Sequence, residues 1–180
     1  MAILLATHQY LTALKCLALN DLRPMNTLSQ LLDTYRNAAA SEREKGTYFE
    51  ELIVCYLRNE ATYKDLYAKV WTYSDWALSQ GLGRNDAGID LVAQTHTGEF
   101  HAVQCKLYAP NYRLQKADID SFFTASGKKP FTHRLIVCTT NHWSPNAEDA
   151  LIDQQPRGRW SRFFNPKAQA FSHVRSGWWQ

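Results

Sequence analysis

The stretch from Gly88 to Lys106 constrains this chain most. It reads Gly-Ile-Asp-Leu-Val-Ala-Gln, then Thr-His-Thr-Gly-Glu, then Phe-His-Ala-Val-Gln-Cys-Lys. Two short apolar runs around a glycine-bearing turn specify a β-hairpin. Side chains alternate across a strand, so Phe100, Ala102, Gln104 and Lys106 share one face. His101, Val103 and Cys105 share the other. The hairpin brings Asp90 beside Gln104 and Lys106, gathering a carboxylate, an amide oxygen and an ammonium. The oxygens suit a hard divalent cation. A phosphodiester under attack is stabilised by such a cation and by the positive charge.

A chain of 180 residues is long enough for one domain with a buried core, plus appendages. Its 45% hydrophobic and 21% charged content is ordinary for a globular protein. The net charge of +3 hides an asymmetry. Residues 156–180 carry five bases and no acid; the remainder has 15 bases against 17 acids, or −2. DNA binding by the body of the chain must therefore rest on a local patch. Cys16, Cys55, Cys105 and Cys138 show no close pairing, which predicts buried free thiols in a reducing compartment. The first residues lack a basic region and a long apolar run, so no signal peptide is expected. No stretch is apolar enough to span a membrane, and a cytoplasmic protein is expected.

Residues 1–24 read as an N-terminal appendage with a weak helix through Leu11, Leu14, Cys16 and Leu19, stopped before Pro24. Asn26 or Thr27 caps a helix running to Ala40, with Leu28, Leu31, Leu32 and Tyr35 as its stripe. Ser41-Glu42-Arg43-Glu44 fits a capping box and opens the next helix. There Phe49, Leu52, Ile53, Tyr56 and Leu57 fall on one face. Glu50 lies at the edge of that stripe and Glu51 nearly opposite, toward water. Gly46 falls on the buried side, where a missing side chain permits close packing. The aromatic segment 61–80 reads as a short helix and then an extended or irregular piece. Its rings are expected in the core, with base stacking as the sharper alternative. Residues 80–88 form a glycine-rich loop that is not a P-loop, since no Lys-Ser/Thr follows. A helix over Lys116–Thr124, a doubly covered strand over Leu135–Thr139 and a last helix capped by Ser144 or Asn146 complete the order. From Pro156 periodicity disappears. Two readings stand for that tail, a disordered basic arm or the product of a shifted or truncated gene. The element order predicts an α/β, three-layer-like fold with a mixed central β-sheet flanked by helices.

Gln104-Cys105-Lys106, the preceding Gly88-Ile89-Asp90 and the upstream Gly46-Thr47-Tyr48-Phe49-Glu50 resemble the PD-(D/E)XK nuclease superfamily in its Mrr-like branch. In that branch the Glu before X-Lys is often a Gln. The run from about Met25 to Gln155 is similar to the N-terminal nuclease domain of type ISP-like, helicase-containing restriction enzymes. The resemblance implies a restriction-endonuclease fold over residues 25–155 and Mg²⁺-dependent hydrolysis of double-stranded DNA, with Mn²⁺ as a substitute. It implies Asp90 as principal metal ligand and Gln104 as a neutral oxygen donor. The Cys105 carbonyl would be a further donor, and Glu50 a ligand directly or through water. Lys106 would orient the attacking water or stabilise charge on the phosphorane. It further implies helicase and methyltransferase functions in a partner or in missing domains.

For DNA contact the candidates are Arg84, Arg113, Lys116, Lys128 and Lys129, in loops or at helix starts; ordinary solubilising charge is their bland alternative. Each site residue also has an ordinary explanation: a turn end for Asp90, a hydrogen-bonded strand residue for Gln104, an edge charge for Lys106, a solvated helix residue for Glu50. Their joint order favours the site. A Cys105 nucleophile is disfavoured, because it points away from Gln104 and has no visible base. The histidines show no zinc-ligand spacing. Competing readings are a non-catalytic DNA-binding or interaction module, a gene fragment, and a junction-resolving nuclease, for which a homodimer is expected.

Overall fold

The hairpin expected from residues 88–106 forms, and it occupies the middle of the sheet. The computed structural model describes residues 26–83, 88–152, 154 and 158–162. Its helices are α1 (Asn26–Ala38), α2 (Glu42–Asn59), α3 (Ala61–Leu66), α4 (Tyr73–Ser79), α5 (Asp120–Ser126) and α6 (Pro145–Asp149). Strands β1 (Tyr67–Thr72), β2 (Leu91–Thr95), β3 (Phe100–Lys106), β5 (Phe131–Cys138) and β7 (Gly158–Arg162) form one sheet in the order β1-β2-β3-β5-β7. The pairs β1–β2 and β2–β3 are antiparallel, whereas β3–β5 and β5–β7 are parallel. Two short strands, β4 (Arg113–Leu114) and β6 (His142–Trp143), pair separately. This is the mixed sheet flanked by helices that the sequence predicts.

Local chemistry sets the boundaries. Ser41 Oγ accepts from the Glu44 N–H at 3.1 Å, and the Glu44 carboxylate accepts from the Ala40 N–H at 2.6 Å. The box thus closes one residue earlier than its usual form. Helix α2 then lays Phe49, Leu52, Ile53, Tyr56 and Leu57 against Leu91, Ala93, Val103, Leu135 and Val137 of the sheet. On the other face Val92, Ala102 and Ile136 pack with Trp76, Ile119, Phe122 and Trp143. The central strands are covered on both faces, which is why β5 reads as a continuous apolar run. Gly98 turns the β2–β3 hairpin at φ +90°, with its N–H on the Thr95 carbonyl.

Several elements, the short β4 and β6 among them, go beyond the sequence reading. Strand β1 and helix α4 occupy the aromatic segment. A bulge between Tyr67 and Lys69 breaks the alternation of β1, so its period is weak in sequence. Strand β7 lies in the segment expected to be irregular. It is the last strand of the sheet and pairs through its backbone with β5, which leaves little hydrophobic signature. The aromatic rings pack as expected, with Tyr63, Tyr67 and Trp76 buried. Cys105 and Cys138 are buried free thiols, but Cys55 is disulfide-bonded, which corrects the expectation for that residue. The appendage 1–24 and most of the tail lie outside the described residues. No helix among the described residues is long and apolar enough to cross a membrane.

Ile53 is fully buried between α2 and the sheet. Ile53→Ala should therefore cost about 2–5 kcal/mol in urea unfolding. Ser41→Ala, losing one cap, should cost about 1 kcal/mol. Equal losses would contradict this packing account.

Candidate active site

Asp90 is fixed at the entry to β2 by its backbone. Its N–H donates to the Val103 carbonyl at 3.0 Å, and its carbonyl accepts from the Tyr73 N–H at 2.9 Å. The pairing Leu91↔Val103 continues to set Asp90 across from Gln104. The Asp90 carboxylate turns onto the next turn of the pleat, where Oδ2 accepts from the Cys105 N–H at 2.6 Å. This hydrogen bond to a charged acceptor orients the carboxylate at the end of β3.

Gln104 is 2% exposed, and its Oε1 has no hydrogen-bond partner among the described residues. A buried amide oxygen without a donor costs about 1–3 kcal/mol, so its placement calls for a reason. Lys106 ends β3 half-buried, and its carbonyl accepts from the Thr139 N–H at 3.1 Å. The Cys105 side chain lies in the cluster under α2, on the face away from Gln104, as alternation predicts. Burial pushes its thiol well above the usual range; Asp90 and Glu50 push it further, and Lys106 opposes them. One thiol thus feels the charges of Asp90, Glu50 and Lys106. The same shift keeps Cys105 protonated, against a nucleophilic role.

Glu50 is half-buried on α2, and a Cβ at Gly46 would lie 3.8 Å from its Oε1. Gly46 therefore leaves room beside this carboxylate and does not serve close packing, correcting the sequence expectation. Glu51 is also half-buried and does not face open water. It sits near Tyr48 and near Tyr35, whose phenol is pushed up to about 12 by burial and then by Glu51.

Among the described residues no three acidic, histidine or cysteine side chains gather to hold a metal. The candidate donors are instead two carboxylates, Asp90 and Glu50, with the Gln104 amide oxygen and the Cys105 carbonyl. That set suits Mg²⁺, which keeps several waters and needs only one or two carboxylates.

The DNA-contact candidates separate. Arg113 and Lys116 are exposed on the segment after β3, and Lys116 pairs with Asp120 at 2.6 Å. Lys128 and Lys129 are exposed in the turn before β5. Phe131 pairs with Phe100, so β5 begins at the opposite end of β3 from Lys106, roughly 20 Å along the strand. Arg84 lies outside the described residues.

Sequence reasoning missed the residues that hold this corner. Thr139 Oγ1 donates to the Tyr108 carbonyl at 2.8 Å and accepts from the Tyr108 N–H at 2.9 Å. Arg36 Nη2 donates to the same carbonyl at 2.9 Å. Together they fix the chain leaving Lys106. Gly88 has φ +76°, and a Cβ there would meet Ser121 backbone and side chain at 3.1 Å. Only the Thr-Thr pair after the apolar β5 run hinted at the first contact, and the glycine itself at the second.

Residues 58–162, more than half of the chain, match the family model described as restriction endonuclease, of Mrr type. The chain belongs to this restriction endonuclease family. The matched span ends with β7 and contains Asp90, Gln104 and Lys106, while Glu50 precedes it. A solved structure described as an ATP-dependent type ISP restriction-modification enzyme, LlaBIII, bound to DNA is similar to this chain. The two are 31% identical with a TM-score of 0.54, over 72% of this chain and 8% of that one. This restriction endonuclease chain thus corresponds to a small part of that enzyme. No curated protein matches it.

The two glycines give opposite expectations. Gly88→Ala forces a side chain into a left-handed conformation against Ser121 and should destabilise the protein by at least about 1 kcal/mol. Gly46→Ala, inside a helix with ordinary contact only, should be neutral or stabilising by up to about 1 kcal/mol. Urea midpoints of both variants check this, and a harmless Gly88→Ala would contradict the described turn.

Proposed function

We propose that this restriction endonuclease chain is the nuclease part of a restriction or defence system and hydrolyses double-stranded DNA with Mg²⁺, or Mn²⁺ in its place. The observation that carries the reading is the buried Gln104 Oε1, without a hydrogen-bond partner among the described residues, one position before the Cys105 N–H that holds the Asp90 carboxylate. A buried oxygen left without a donor, one position along β3 from the N–H that holds a carboxylate, is what a hard cation satisfies. Asp90 is the principal ligand, and its bond from the Cys105 N–H holds it in place. Gln104 and the Cys105 carbonyl add neutral oxygens, and Glu50 adds the second carboxylate directly or through water. When bound, the cation lowers the pKa of the attacking water and offsets charge on the phosphate. Lys106 orients that water or stabilises the charge that builds on the phosphate oxygens. Gln104 in place of a Glu removes one negative charge, so cation affinity is lower than a third carboxylate would give.

The DNA-bound, ATP-dependent type ISP restriction-modification structure, of which this chain covers 8%, supports DNA as substrate and a larger restriction enzyme as context. Arg113 and Lys116, on the segment leaving Lys106, are the backbone contacts nearest the site. Sequence recognition and motor action then belong to other domains or partners.

Purified protein should nick supercoiled plasmid with Mg²⁺ or Mn²⁺ and not in EDTA. Asp90→Ala and Lys106→Ala should lower the rate by about 100-fold or more while remaining folded. Gln104→Glu should shift half-maximal cleavage to lower Mg²⁺. Cleavage that persists in both alanine variants would remove this site assignment.

A further inference from the structure

A cavity of about 730 Å³ runs from Gly88 and Ile89, just before Asp90, to Phe131 at the start of β5. This volume lies within the range of roughly 300–1,000 Å³ typical of small-ligand sites. Part of its lining is aromatic. The Tyr73 and Trp76 ring centroids are 5.6 Å apart, and those of Trp76 and Phe131 are 5.3 Å apart. Trp76 is 2% exposed and backs this wall, whereas Tyr73 and Phe131 are half-buried and retain surface. The Trp76 indole N–H has no hydrogen-bond acceptor among the described residues, so the wall holds an unmet donor.

The rest of the lining is cationic and polar. Lys128 and Lys129 are exposed, and neither belongs to an ion pair among the described residues. The exposed hydroxyl-bearing Ser121 and Thr124 line it too. Two ammoniums without an ion pair among the described residues select an anion, and half-buried rings select a flat apolar face. A purely apolar ligand leaves the lysines unused, and a bare phosphate leaves the rings unused. A nucleotide uses both. The Tyr73 N–H also donates to the Asp90 carbonyl at 2.9 Å, so this wall and the candidate active site share one stretch of backbone.

We propose that this cavity holds one unstacked nucleotide, with its base against Tyr73 and Phe131 and its phosphate at Lys128 and Lys129. The role of this site rests on the endonuclease reading, since the nucleotide then belongs to a strand running past Asp90. Binding itself needs no cation. The nucleotide comes from a frayed or displaced strand or is a free mononucleotide.

The test is fluorescence anisotropy of a labelled single-stranded dT octamer in EDTA, with dAMP as competitor. Lys128→Ala/Lys129→Ala should weaken octamer binding at least tenfold and reduce the magnitude of the log–log salt slope by about 0.7, the value for one lost phosphate contact on a single strand. Tyr73→Leu should weaken binding about fivefold or more with the salt slope unchanged. Asp90→Ala should bind like wild type. Displacement by dAMP identifies the free nucleotide as a ligand; a lysine- and Tyr73-dependent octamer that dAMP does not displace identifies the strand. Equal octamer affinity in wild type and both variants overturns the proposal, as does absence of octamer binding. If Asp90→Ala meanwhile abolishes plasmid nicking, the endonuclease reading survives that failure.

Discussion

The hydrogen bond from the Cys105 N–H to the Asp90 carboxylate, 2.6 Å long, is the contact on which the site depends. It ties a loop residue to the end of the central strand. Two backbone bonds hold Asp90 from either side, and one of them comes from the first residue of α4. The helix that follows β1 thereby supports a carboxylate far away in sequence. The positioning is done by main-chain groups, which keeps it rigid at little cost in side-chain entropy.

Fold and site were legible to different degrees. The hairpin, helix α2 and strand β5 each bury a regular stripe, so period and turn residues announced them. The choice of Glu50 over Glu51 followed from the helical wheel, whereas both carboxylates are half-buried. Strands β1 and β7 were not legible. One carries a bulge, the other is an outermost strand held through its backbone, and neither alternates cleanly. The clamp of Thr139 and Arg36 on Tyr108 was equally hidden, because a contact across 31 or 72 residues has no local signal. Gly46 was misjudged for a related reason. The wheel gives the side a residue faces but not the distance to what it meets.

The placement of basic residues bears on how such a chain meets DNA. With a body near neutrality, long-range attraction is small and contact depends on a few lysines and arginines. Lys116 is partly spent on Asp120, whereas Lys128 and Lys129 have no ion pair among the described residues and lie beside an aromatic wall at the far end of the sheet.

The central claim is that Asp90, Glu50, Gln104 and the Cys105 carbonyl form one divalent-cation site. Electron paramagnetic resonance of Mn²⁺ titrated into the DNA-free protein tests it most directly, because it counts bound ions without requiring cleavage. The account predicts a single site per chain that Mg²⁺ displaces. Asp90→Ala should weaken it at least tenfold, and Gln104→Leu should weaken it less. The same stoichiometry and affinity in all three proteins would contradict it.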